Sequence, residues 1–199
     1  MDSIIENFFI DAFHLSDPQV VGQIKNAIAS HSNILMPKLG NFKGHLCEAI
    51  HFDKLKKISK INNVVKHPNG QKESPDLQFE HKEKIYWVED KNCSSPSYSS
   101  IKEGCVSLRN YKHSYRNSSA LGTEALYYEM PSHKDEIHIL AVCLYPQTKK
   151  FEWRYSLFSS LPIHEKHENR LASNLKIPIE PSDSSIWFKN IKDLLSNTA

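Results

Sequence analysis

The sequence predicts an α/β fold of mixed α+β type, a central mixed β-sheet flanked by helices. Three observations carry it. Apolar residues recur at helical spacing in separate stretches, the first being Ile4, Ile5, Phe8, Phe9, Ala12 and Phe13. Short β-branched and aromatic runs, such as Ile85-Tyr86-Trp87-Val88, lie between those stretches. Their order along the chain is helix, hairpin, helix, strand, strand, helix, the order of a sheet with helices packed on it. A chain of 199 residues reads as one domain, residues 1–199, with no repeat, low-complexity tract or linker to divide it.

The elements follow in order. The first apolar stripe predicts an amphipathic helix over Ser3 to Phe13, and Asp17-Pro18 opens a second running to Ser30. Asn41 to Ser59 predicts a strong helix, with Leu46, Ala49, Ile50, Leu55 and Ile58 inward and Lys43, Lys54, Lys56, Lys57 and Lys60 outward. His67-Pro68-Asn69-Gly70 is a turn cluster. Asp76 to Phe79 and Ile85 to Val88, parted by His81-Lys82-Glu83-Lys84, read as a β-hairpin. Asn92 to Ser100 is a loop by composition, and Ile101 to Tyr115 predicts a helix with Val106, Leu108 and Tyr111 inside. Ile137 to Leu144 and Phe151 to Phe158 are strands, Pro178 to Ser182 is a break, and Ser185 to Leu195 is a closing helix.

Composition excludes several classes. Apolar residues at 39% and charged residues at 24% belong to neither a disordered nor a membrane-embedded chain. No apolar run approaches the ~20 residues of a membrane helix. The acids within MDSIIENFFIDAF argue against a signal peptide, so a cytoplasmic protein is expected. Cys47, Cys93, Cys105 and Cys143 form no CxxC pair and read as reduced thiols. His164 and His167, an HxxH pair, read as solvated rather than as a zinc site. Tyr86, Trp87, Trp153 and Trp187 read as core rather than as stacking platforms. The net charge of +2 says nothing of partners, but its distribution does. Met1 to Pro37 carries −3, Lys38 to Lys66 carries +5 and Lys102 to Arg116 carries +3, so basic segments flank the hairpin in sequence. Such segments can hold a polyanion.

The hairpin carries the chemistry. A turn over His81 to Lys84 centres between residues 82 and 83, so paired residues sum to 165, and Asp76 faces Glu89. Directly opposed residues lie on one face with Cβ atoms ~5 Å apart. Glu89 and Lys91 also share a face, with Asp90 turned away. Two carboxylates so close repel unless a hard cation lies between them, and Mg²⁺ takes one or two carboxylates plus phosphate oxygens. Lys91 beside them suits a site that orients water against a phosphodiester.

Pro75-Asp76, then Glu89-x-Lys91 at the end of an apolar strand, resembles the PD-(D/E)xK nuclease motif. The resemblance implies a central mixed sheet flanked by helices. It also implies Mg²⁺-dependent hydrolysis, with Mn²⁺ able to substitute, leaving 5′-phosphate and 3′-hydroxyl ends. Asp76 and Glu89 would be metal ligands, the Asp90 carbonyl a further ligand, and Lys91 the catalytic lysine. Glu48, on the preceding helix, looks like the glutamate many members carry there. One departure stands out: the middle residue of E-x-K is usually apolar, and here it is Asp90, either hydrogen-bonded on the far face or at the strand's end.

Within that family the chain is most similar to type II restriction endonucleases, which implies a homodimer acting on double-stranded DNA. Candidate DNA contacts are Asn92, Ser94, Ser95 and Ser97 in the loop after Lys91, and Lys102, Arg109, Asn110, Lys112, Arg116 and Asn117 beyond it. Two other readings use the same residues: a structure-specific nuclease such as a junction resolvase or repair nicking enzyme, and a non-catalytic DNA-binding module.

Overall fold

A computed structural model of the chain describes residues 40–67, 75–92, 101–110, 128, 136–148 and 150–198. The helices expected over Ser3 to Phe13 and Asp17 to Ser30 lie outside these residues. Helix α1 (Gly40–Lys56) leads into strand β1 (Asn62–Lys66). Strands β2 (Leu77–His81), β3 (Lys84–Asn92), β4 (Cys105–Arg109) and β5 (Glu136–Cys143) follow. A one-turn helix α2 (Tyr145–Thr148) precedes β6 (Trp153–Leu157), and short strands β7 (Ile163–His164), β8 (His167–Leu171) and β9 (Asn174–Pro178) lead to helix α3 (Ile191–Asn197).

The fold is mixed α+β. Five strands form a mixed sheet in the order β1-β2-β3-β5-β6, with β3 and β5 parallel and the other neighbours antiparallel. Alternation along β5 divides the core in two. Ile139, Ala141 and Cys143 face Cys47, Ile50 and Leu55 of α1 and Ile191, Leu194 and Leu195 of α3. Leu140 and Val142 face the opposite way, onto Val106 and Leu108 of β4 and Leu175 and Ile177 of β9. Among the described residues, then, helices cover one face and a two-stranded β4–β9 ribbon packs on the other. No helix among them is long and apolar enough to cross a membrane.

The β2–β3 hairpin has the expected register, with Leu77 opposite Val88 and Phe79 opposite Tyr86. Its turn is shorter than the sequence suggested. His81 pairs with Lys84, and only Lys82 and Glu83 turn, at φ of 48° and 62°. Both positive angles belong to the type I′ turn, whose twist matches the strands. The centre of the turn is unchanged, so the register is too.

Two expected helices are corrected. The predicted helix from Ile101 to Tyr115 begins instead as a tight turn and a strand. Lys102 and Cys105 exchange both backbone hydrogen bonds at 2.9 Å, with Glu103 and Gly104 at positive φ between them. Val106 and Leu108 then alternate with exposed Ser107 and Arg109, a period of two rather than 3.6. The closing helix starts at Ile191, not Ser185. Phe188 is held extended by paired 2.9 Å hydrogen bonds with Tyr155, and Asn190 caps the helix by accepting from the Lys192 N–H. Trp187 thereby enters the β4–β9 core while Ile191 enters the other. Tyr86 and Trp153 are also buried, and Trp87 is half-buried against the His138 ring.

Candidate active site

The site forms where β2 begins and β3 ends. Extending the ladder by one step from Leu77–Val88 sets Asp76 across from Glu89. The Asp76 carboxylate closes the step itself: Oδ2 accepts the Asp90 main-chain N–H at 2.8 Å. Along β3, Val88 and Asp90 are buried and point toward the helices, while Glu89 and Lys91 are half-buried on the opposite face. There the Lys91 Nζ donates to Glu89 Oε1 at 2.7 Å. The Tyr128 hydroxyl donates to the same oxygen, and Lys91 sits 5.0 Å from the Tyr128 ring centre. Among the described residues Glu89 Oε2 takes no hydrogen bond.

Glu48 arrives from α1. It is nearly buried and pairs with Lys66 of β1 at 3.6 Å. Burial, then Glu89, then Glu48 push the Asp76 carboxyl up to about 8, against the opposing pull of Lys91 and the Asp90 N–H. Burial works against the Lys91 charge, but Glu89 outweighs it and holds the ammonium above its ordinary range. Burial also raises the Tyr128 hydroxyl, with Glu89 adding to it, so Tyr128 stays a donor. Lys91 is thus a fixed positive charge and not a proton acceptor near neutral pH.

Among the described residues no three His, Cys, Asp or Glu side chains close into a ready-made metal cage. The donors at hand are still of the right kind. Asp76, Glu89 and Glu48 offer oxygen only, and Mg²⁺ binds through one or two carboxylates while keeping several waters. Burial first, and the neighbouring Glu89 and Glu48 second, disfavour the Asp76 charge, and a divalent cation bound there would favour it.

The remaining expected residues divide. Asp90 sends its side chain away from this face. His51 Nδ1 lies 2.9 Å from both Asp90 oxygens, and His51 Nε2 lies 3.1 Å from the Tyr155 hydroxyl. The polar middle residue of E-x-K is thus the hydrogen-bonded alternative of the two. Only its main chain, whose N–H points at Asp76, stays with the site. Asn92 ends β3 rather than opening a loop, and its Oδ1 has no partner among the described residues. Lys102 and Arg109 are exposed beside and on β4. Asn110 is fully buried, and its amide has no hydrogen-bond partner among the described residues. Ser94, Ser95, Ser97, Lys112, Arg116 and Asn117 lie outside the described residues. A groove of about 530 Å³ lined by Lys54, Trp153, Arg154, Glu180 and Lys189 contains none of the motif residues. Sequence reasoning missed Tyr128, which carries no spacing signal. It also missed His51, whose one trace was the polar Asp90 at a core-facing position.

Comparison with known proteins adds little. No family model matches the chain, and no curated protein matches it. A solved structure described as "Crystal Structure of MepB" is 9% identical, with a TM-score of 0.32 over 75% of this chain and 89% of that one. So slight a likeness leaves fold and function to be argued from this chain's own residues.

Proposed function

We propose that this chain is a Mg²⁺-dependent endonuclease of restriction type, a homodimer cutting double-stranded DNA at specific sites into 5′-phosphate and 3′-hydroxyl ends. One observation carries the reading: Asp76, one step beyond the last ladder pair Leu77–Val88, accepts the Asp90 N–H beside Glu89, and Lys91 is bonded to Glu89. Asp76 and Glu89 would hold the cation, with the Asp90 carbonyl and Glu48 in support. When bound, the cation lowers the pKa of a water and offsets charge on the attacked phosphate. The protein's own groups do the rest. Lys91, kept protonated by Glu89, orients the water and neutralises developing negative charge. Tyr128 donates to the same Glu89 oxygen and so helps to fix the carboxylate. The exposed Lys102 and Arg109 suit contact with the DNA backbone.

Digestion of a plasmid and of a sequenced genome, with and without Mg²⁺, tests the reading. Discrete fragments with uniform ends support it. Cutting confined to branched or mismatched DNA moves the assignment to a structure-specific nuclease. DNA binding without cutting in Mg²⁺ or Mn²⁺ leaves a non-catalytic module.

A further inference from the structure

We infer that His51 and Asp90 are positioning residues for the carboxylate site, acting from the opposite face of the sheet. The inference rests on the cation-site reading above. Asp90 lies between Glu89 and Lys91 and reaches both faces of β3. Its N–H holds Asp76 at 2.8 Å on one side, and its carboxylate lies 2.9 Å from His51 Nδ1 on the other. A carboxylate oxygen accepts, so His51 donates from Nδ1. Its Nε2 lies 3.1 Å from the Tyr155 hydroxyl, which burial keeps protonated. The His51 ring stacks on Trp153 with centroids 4.9 Å apart and planes inclined by 20°. The chain Asp90, His51, Tyr155 thereby joins β3, α1 and β6, and its members are buried.

The consequence lies in where His51 sits. It is three residues after Glu48, one turn along α1 and on the same side of the helix. Apolar contacts between α1 and the sheet are non-directional and tolerate small slides or rotations of the helix. The Nδ1 bond to Asp90 does not. It pins the helix turn that carries Glu48 to the strand residue that holds Asp76. One residue of β3 thus fixes two of the three site carboxylates, and its neighbour in sequence is the third. Outer partners of metal-binding carboxylates typically govern affinity by 10- to 100-fold.

The test separates positioning from stability. His51→Asn keeps a donor close to the Nδ1 position, whereas His51→Leu removes it. Both lose the Tyr155 bond and the ring stack, so both should unfold at lower temperature than the wild type. Titration of Mn²⁺ alone into the full-length chain is the readout. His51→Leu should bind Mn²⁺ about 10- to 100-fold more weakly than wild type, with His51→Asn restoring the affinity. Should His51→Leu not fold, Asp90→Asn replaces it, trading the charge-assisted bond for a neutral one about half as strong and weakening Mn²⁺ binding in proportion. Wild-type affinity in His51→Leu or in its substitute Asp90→Asn, or equal loss in His51→Leu and His51→Asn, overturns the positioning role while leaving the cation site standing. A wild type that takes up no Mn²⁺ removes the cation site, and the positioning role with it.

Discussion

Strand β3 presents neighbouring carboxylates to opposite faces of the sheet, and the two faces treat them differently. Asp90 enters the helix-covered face, where His51 meets both oxygens and Tyr155 completes the chain. Glu89 enters the other face half-buried, close to Asp76, with Lys91 and Tyr128 sharing one of its oxygens. On the first face the protein supplies every partner, and the carboxylate serves the fold. On the second, Lys91 pairs with Glu89, while burial and the two neighbouring glutamates leave Asp76 without a positive partner of its own among the described residues.

The contrast can be broken most severely from the buried side. His51→Leu leaves Asp90 buried without its donor, and removing one partner of a buried pair costs about 3–5 kcal/mol. Urea unfolding should register a loss of that order, and an unchanged midpoint would show that Asp90 does not depend on His51. On the open face, Lys91→Ala should lower cleavage about 100- to 1,000-fold, as loss of a charge-stabilising donor does elsewhere, with DNA affinity nearly unchanged in a gel-shift assay. Cutting at the wild-type rate by that variant removes Lys91 from the chemistry.

A smaller effect concerns pH. The Asp76 carboxyl titrates near 8 in the fold against 3.8 for an unperturbed aspartate. Between these values the folded state binds the extra proton, so stability is full below the lower value and is lost as pH rises through the upper one. Metal-free protein should therefore melt at progressively lower temperature from about pH 4 to pH 8. Asp76→Asn should flatten that slope and stabilise the metal-free protein at pH 8, and added Mg²⁺ should flatten it in the wild type. A melting temperature that rises over the same interval contradicts the raised Asp76 carboxyl. The smallest change is a control away from both faces. Replacing Lys82-Glu83 by Asn-Gly suits both positive φ angles and should add about 1 kcal/mol in urea unfolding while leaving cleavage unchanged. Loss of stability there would place the strain elsewhere in the hairpin.

Much of this contrast was legible in residue order. The hairpin register followed from the centre of symmetry of the turn. That survived even though the turn is two residues rather than four, because both loops share a midpoint. Alternation then placed Glu89 with Lys91 and against Asp90. The helix carrying Glu48 was also legible, although it ends at Lys56 and Lys57 to Ser59 turn away instead of continuing it. What was not legible depended on partners distant in sequence. Val106 and Leu108 stand at the strand period of two, but in so short a run the period is decided only when β9 pairs with them and buries them. Trp187 and Ile191 look like one helical stripe, yet they enter separate cores because Phe188 pairs with Tyr155 between them. Tyr128 and His51 reach the site and its reverse face through tertiary packing alone, which no local spacing announces.

The most direct test is a crystal of the full-length chain grown with Mn²⁺ and measured for anomalous scattering. A peak in contact with the Asp76 and Glu89 carboxylates, with Lys91 on the same side, is the outcome expected of a phosphodiester-cleaving centre. A peak elsewhere, or none, with Lys91 and Tyr128 still bonded to Glu89, would contradict it.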